Sequence, residues 1–428
     1  MVEKYEDELI AFRQYFHTYP ELSGDEENTC QRIKAHLTEL GIPYEEVLDG
    51  GILGLIRGAK EGKTVLLRAD VDALPIQEDD CNLTRPKACV SKHAGVSHAC
   101  GHDAHTAMLL SAARVLQSRR EQLQGTVILM FERGEEKTTN CIKIFRFMEE
   151  TQMHVDSSFA IHMDASLESG KIAINDGPVM ASNVCFDVKI KGTGGHGSRP
   201  DLAVNPLDCF VAFYNTLNTV PMRKLSPFHP LTFSICHVQA GSRNNVIPDE
   251  VFFRGSSRFY DKNDGFVFKQ ALTETLDHMT KIYGCTYEYT LLRGPCMPVI
   301  NDPDCAALTR EALGAEIGSE HLCCREPQMG SETFGKAITM WPGVYALLGT
   351  RNDAKGTGAE HHNAKFDIDD HVLKYGAAAY AVYAEAFLAS DIELKKYPGT
   401  FADMYEEQGV PQEFVDYLRH KTDALLLR

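Results

Sequence analysis

Nine residues, SHACGHDAH from Ser97 to His105, hold three histidines, one cysteine and one aspartate. Such a run can hold a metal, present a cysteine nucleophile beside a base, or be a polar loop that is merely rich in histidine. Cys100 and His102 are two residues apart, so on a helix they would face nearly opposite sides. They can share a metal only from a turn, and Gly101 between them permits one. A helix starting just after would aim its positive end back at Cys100 and, with a metal, would favour the thiolate. Asp103 is placed to cap that helix. More candidate groups lie far along the chain: Asp70 and Asp72, Glu135 and Glu136, His162, and the pair His361-His362. Taken singly, each has a plain reading as a solvated turn, a loop acid pair, a hydrogen-bonded histidine or an exposed loop. Adjacent carboxylates in a cleft repel, and a cation would relieve that. Cysteine, histidine and glutamate together suit Zn, Mn, Co or Ni better than Mg or Ca.

The elements that must position these groups are legible in the apolar pattern. Residues 4–17 and 26–40 read as helices, the second stopped by Gly41 and Pro43. GILGLIRG, KTVLLRAD, GTVILMFE, SSFAIHM and GVYALLG read as strands, with helical stretches between several of them. Strands apolar on both faces, alternating with helices, predict a largely parallel α/β sheet. Ligands bind such sheets beyond the carboxyl ends of the strands. Asp70, Glu135, Glu136 and His162 all fall at or just after such ends, and His361-His362 follows the last one. Coincidence would have to put all of them on one rim for the plain readings to hold together.

Near residue 183 the texture changes. VCFDVKI, LTFSICHV, VFFRGSSRFY and TYEYTLL read as strands, with helices at 205–217 and around 265–282. Strand-helix-strand-strand-helix-strand is the order of a ferredoxin-like α+β unit. The expected organisation is a discontinuous α/β domain (1–181 plus 295–395) carrying the candidate groups, an inserted domain (182–294) and a polar helical tail (396–428) without evident chemistry. A formal charge of −17 argues against nucleic acid and anionic membrane as partners. The acidic start, MVEKYEDELI, lacks the basic and apolar parts of a secretion signal. Thirteen scattered cysteines, an odd number without a CxxC, suit free thiols in a reducing cytoplasm.

These pieces resemble the M20-type metal-dependent amidohydrolases, in the branch of N-acyl-amino-acid amidohydrolases, hippurate hydrolases and auxin-conjugate hydrolases, with aminobenzoyl-glutamate hydrolase a further relative. The matching runs include FRQYFHTYPELS, VLLRADVDALPIQE, SHACGHDAHTAMLL, GTVILMFERGEE, FAIHM, KGTGGHGSRPDLAVNP, NVIPDE, MGSETFG and HHNAKFD, in family order. The resemblance implies two divalent metal ions per subunit, held by Cys100, His102, Glu136, His162 and His362. It gives Glu135 the place of the general base and Asp70 that of a carboxylate orienting a ligand. Arg68 stands where more distant relatives carry a metal histidine. The inserted domain becomes a lid or dimerisation domain, which implies a homodimer through 182–294. His196 in GTGGHGS would help bind the scissile carbonyl; Asn245 and Arg258 would contact the substrate.

Two departures stand out. A segment like QPAEE reads ERGEE here, which brings Glu132 and Arg133 close to the base and removes a proline. The final motif has Ala364 where proline is usual, and His362 rather than His361 aligns as the ligand. The chemistry implied is metal-assisted hydrolysis of a small amide, an N-acyl amino acid or similar, to a carboxylic acid and an amino acid. A dipeptidase or carboxypeptidase on the same fold is the alternative substrate reading. Two rivals of other classes remain: a cysteine hydrolase using Cys100, which leaves the distant groups idle, and a non-catalytic metal-binding homologue.

Overall fold

A computed structural model describes residues 3–137 and 141–407. Two compact units make up the chain. The first comprises Met1–Val179, Ile300–Glu326 and Ala337–Phe401. The second comprises Met180–Val299 and Pro327–Lys336, with the described residues from Ala402.

The first unit is built on an eight-stranded sheet. Four neighbouring strands form its parallel centre: Gln124–Glu132, Lys60–Asp70, Ser157–Glu168 and Gly343–Arg351. Gly51–Arg57 and Tyr44–Val47 extend one side antiparallel. The short strands Ile172–Ala173 and Leu322–Cys323 close the other. Successive side chains of a strand point to opposite faces, and the central strands carry unbroken buried runs, so both faces are covered. The helices Glu6–Thr18, His102–Ser118 and Leu373–Ala389 pack against one another. His102–Ser118 is buried at every position from His102 to Ala113.

Register decides where the chemistry collects. Asp70 pairs with Glu132, and Arg68 pairs with Ala160, so two residues on His162 stands level with Asp70. Leu347 of the last central strand pairs with His162. The carboxyl ends of all four strands therefore open on one rim, as the apolar runs predicted.

The second unit has a four-stranded antiparallel sheet, ordered Leu231–Ala240, Glu250–Phe259, Ser182–Lys191, Thr286–Arg293. In chain order this is 2-3-1-4. Residues of Ser182–Lys191 alternate between buried and half-buried, which marks one packed face. Val184, Phe186, Val188 and Ile190 meet Phe213 of helix Pro206–Leu217 and Phe268 and Leu272 of helix Lys262–Tyr283. The order and packing are those of a ferredoxin-like unit.

All thirteen cysteines are free thiols. Among the described residues, no helix is long and apolar enough to cross a membrane. Of the expected tail, Phe401 stacks on Phe145 with centroids 4.1 Å apart, and residues 408–428 lie outside the described residues.

Candidate metal centre

The Cys100-to-His102 turn is made by Gly101, at φ +94. A Cβ there would meet Met163 Cγ at 2.9 Å, so glycine is required by the backbone and by the neighbouring strand. The helix begins at His102, with no side-chain cap bond at its start. Asp103 is not the cap. Its Oδ2 instead accepts from Arg13 Nε at 3.0 Å and from His17 Nδ1 at 2.7 Å. The helix starts earlier than expected, with Gly101 at the cap position, so Asp103 falls inside the first turn, where its carboxylate takes charge-assisted bonds from the buried arginine.

His102 Nδ1 donates to Asp72 Oδ1 at 3.0 Å, and Asp72 Oδ2 accepts from Ser23 Oγ at 2.6 Å and from the Glu136 amide at 3.0 Å. With Nδ1 engaged by Asp72, Nε2 of His102 is left buried without a hydrogen bond. Glu136 Oε1 is likewise buried without a hydrogen bond and lies 3.2 Å from His362 Nε2. Cys100 Sγ is 3.7 Å from His162 Nε2. Donor atoms of Cys100, Glu136 and His362 lie within 4.8 Å of one another, as do those of His102, Glu135 and Glu136. Two buried polar atoms without hydrogen bonds, His102 Nε2 and Glu136 Oε1, beside a thiol and two further imidazoles suit a cation. The residues present therefore fit a metal centre.

A further group, Asp70, His102, His105 and His162, also lies within 4.8 Å. His105 cannot ligate as it stands. Its Nδ1 donates to Asp70 Oδ1 at 2.6 Å, and its Nε2 accepts the Met163 N–H at 2.9 Å. Asp70 is also engaged on both oxygens, with Arg68 Nη1 2.7 Å from Oδ2. Asp70 Oδ2 stands 3.8 Å from His102 Nε2, so its charge faces the centre while its oxygens are held by others.

The electrostatics favour positive charge here. Burial opposes a charge on His102, but Asp70, Cys100 and Asp72 outweigh it and raise its pKa well above the ordinary imidazole value. Burial pushes the Cys100 thiol up, and His102 and His162 more than reverse this. His362 is raised to about 10 by Cys100 and Glu136. It sits at φ +61, half exposed, with its N–H donating to Ala99 O at 2.8 Å. That bond ties the distant histidine segment to the Cys100 turn. His361 is turned elsewhere: its Nε2 takes the Ala165 N–H at 3.4 Å.

The ERGEE departure is tightly held. Glu132 Oε2 takes Arg68 Nε at 2.7 Å. Arg133 Nε reaches Glu26 Oε2 at 2.8 Å, and the Gly134 N–H reaches Glu26 Oε1 at 2.8 Å. Both new charges are buried and paired with residues outside the Glu135-Glu136 pair. These bonds restrain the loop where the proline is missing.

His196, Asn245 and Arg258 lie in the second unit. His196 is in a two-stranded pair with Val246, and the Gly197 N–H donates to Asn245 O at 2.9 Å. His196 and Asn245 share a cavity of about 680 Å3. Arg258 is not in its lining; it lies on the sheet, with Nη1 donating to Ser331 Oγ at 3.1 Å. Asp72, a candidate by its place in the sequence, proves to hold His102 rather than to face the centre alone. Glu26, which the sequence marks only as the start of a helix, anchors the loop before Glu135.

Comparison with known proteins agrees with this geometry. Residues 66–386 match the model of peptidase family M20/M25/M40. The chain belongs to this family. Thermostable carboxypeptidase 1 of Saccharolobus solfataricus is 35% identical over 390 residues, covering 90% of this chain and 97% of the relative. An IAA-amino acid hydrolase of Arabidopsis thaliana is 32% identical over 406 residues, covering 94% and 89%. The crystal structure of a dinuclear metal-binding M20 peptidase of Bacillus subtilis superposes with a TM-score of 0.76 at 29% identity, covering 90% of this chain and 99% of that one. This M20 protein is a metal-binding hydrolase of amide bonds.

Proposed function

We propose that this M20 enzyme hydrolyses the amide of N-acyl amino acids or similar small amides, releasing a carboxylic acid and an amino acid. The observation that carries the reading is the convergence of Cys100, His102, Glu136 and His362 donor atoms beside Glu135. We take Cys100, His102, Glu136, His162 and His362 as ligands of two divalent ions, drawn from Zn, Mn, Co or Ni. Bound there, the ions would polarise the amide carbonyl and make water acidic enough to deprotonate near neutral pH.

The protein's own groups then have defined tasks. Glu135 takes the proton from water and passes it to the leaving nitrogen. Asp72 keeps His102 in the tautomer whose Nε2 is free. Asp70, held by Arg68 and His105, adds fixed negative charge beside the centre. His196 donates to the oxygen on which charge develops, and Asn245 and Arg258 contact the substrate; these three roles rest on the resemblance. A homodimer through 182–294, a cytoplasmic location and small-molecule rather than nucleic-acid partners complete the proposal.

A peptidase reading has its own support, since a carboxypeptidase is among the relatives. One screen separates them: N-acetyl, N-aroyl and N-fatty-acyl amino acids against dipeptides, with each of the four metals, tracking both products. Release of acid and amino acid from the acyl substrates supports the proposal. Cleavage confined to dipeptides supports the peptidase. Activity surviving removal of metal would revive Cys100 as nucleophile, and no turnover of any amide would leave a metal-binding homologue.

A further inference from the structure

Arg13 and His17 lie on helix Glu6–Thr18, and the chemistry above uses neither. Both are 1% exposed. Arg13 reaches three other segments. Its Nε is 3.0 Å from Asp103 Oδ2, and its Nη1 is 3.3 Å from Cys89 Sγ and 3.2 Å from Asp370 Oδ1. Asp367 Oδ1 stands 3.9 Å from Nη2. His17 donates from Nδ1 to Asp103 at 2.7 Å and from Nε2 to Glu78 at 2.8 Å. Lys87 Nζ joins Glu78 at 2.7 Å and also donates to Ala364 O at 3.0 Å.

What this buried cluster grips is specific. Asp103 directly follows His102. Ala364, Asp367 and Asp370 follow His362 closely. His102 and His362 lie far apart in the chain, yet each is followed closely by residues held in this one cluster. The helix starting at His102 has no side-chain cap, so Asp103 is what ties its first turn to the Glu6–Thr18 helix. A guanidinium fixes direction as well as charge, because its donors form a rigid planar fork.

We propose that Arg13 and His17 are positioning residues for the metal centre, setting the spacing between the His102 turn and the His362 segment. The proposal rests on the reading of that centre as a metal site. A cluster that served stability alone would tolerate any change that kept the protein folded.

The test compares the wild-type enzyme with Arg13→Lys, His17→Gln and Arg114→Gln. Arg13→Lys keeps the charge and loses the fork. His17→Gln leaves Asp103 with Arg13 and Glu78 with Lys87, so neither buried carboxylate is stranded. Arg114 pairs with Glu8 of helix Glu6–Thr18 and with Glu39 of helix Glu27–Glu39, away from the metal end of its own helix, and serves as control. Each protein is stripped of metal, and Zn affinity is measured by competition with a chromogenic chelator. The visible spectrum of the Co-loaded form is recorded alongside apoprotein melting. Arg13→Lys and His17→Gln are expected to weaken metal binding about tenfold and to alter the Co spectrum, with Arg114→Gln unchanged. Wild-type affinity and spectra in both variants would overturn the proposal while leaving the metal site standing. An equal loss in Arg114→Gln would also overturn it, by showing general destabilisation. A wild-type protein that binds no metal would overturn the metal reading itself and this inference with it.

Discussion

Glu135 and Glu136 are neighbours with different tasks, and substitution separates them. Glu135→Gln removes the base while leaving the Glu136 carboxylate in place, so kcat should fall by about 10²–10⁴-fold with metal content unchanged, as read by steady-state kinetics and elemental analysis. A metal-loaded Gln variant with full activity would remove Glu135 from the mechanism. Gly101→Ala places a Cβ against Met163 at a backbone angle that alanine resists. It should lower bound metal per subunit even where the protein folds, measured on the purified variant. At this scale the residue types were informative, since cysteine, histidine and glutamate at strand ends advertise a metal. Orientation was not. Asp103 has a capping residue's side chain, yet the helix begins one residue before it, and a buried arginine holds it within the first turn. The available signal was Arg13 and His17, one turn apart beside Phe12 and Phe16, charged residues on an apolar helix face.

The elements that hold the site are stitched by buried ion pairs, and their energetics are testable. Arg133 joins the loop before Glu135 to the start of helix Glu27–Glu39 through Glu26. Arg133→Met strands Glu26 in the interior and should cost about 3–5 kcal/mol in urea unfolding. Adding Glu26→Gln should recover part of the loss. Glu78 provides a pH test. Burial opposes its charge, but His17, Lys87 and the Ser91 amide prevail, and its pKa falls to about 2. A carboxylate depressed in the folded state contributes stability above its unfolded value, near 4.3, and loses it as pH falls towards the folded value. The stability gap between wild type and Glu78→Gln should therefore be full at pH 6 and close between about pH 4 and 2. Urea titrations across that range read it directly, and a pH-independent gap would contradict the assignment.

For the whole molecule, an ion that binds only the folded centre stabilises it by mass action, by about 2.7 kcal/mol at a hundredfold excess over Kd. Stripping with a chelator should lower Tm, and restoring the right metal should raise it by at least a few degrees. Of the four candidates, the ion that best restores Tm should also best restore turnover. His196→Ala tests the second unit's part. It should reduce kcat with metal content unchanged, because none of the ligands proposed above lies in that unit.

The sequence by itself determined the architecture and the inventory. Apolar runs buried on both faces specify central parallel strands, and a parallel sheet has one carboxyl rim, so the strand-end acids and histidines had to meet there. The order of strands and helices in 182–294 specified a ferredoxin-like unit. Tertiary structure decided which lone pairs remain free. His105 and His102 are three residues apart and equally buried, yet Met163 and Asp70 occupy both nitrogens of one, while Asp72 takes only the far nitrogen of the other. It also decided that the ERGEE charges are paired, Glu132 with Arg68 and Arg133 with Glu26. Hydrogen-bond partners arrive from segments far apart in the chain, so spacing can name the candidates for a metal site but only packing can say which atoms are left to bind.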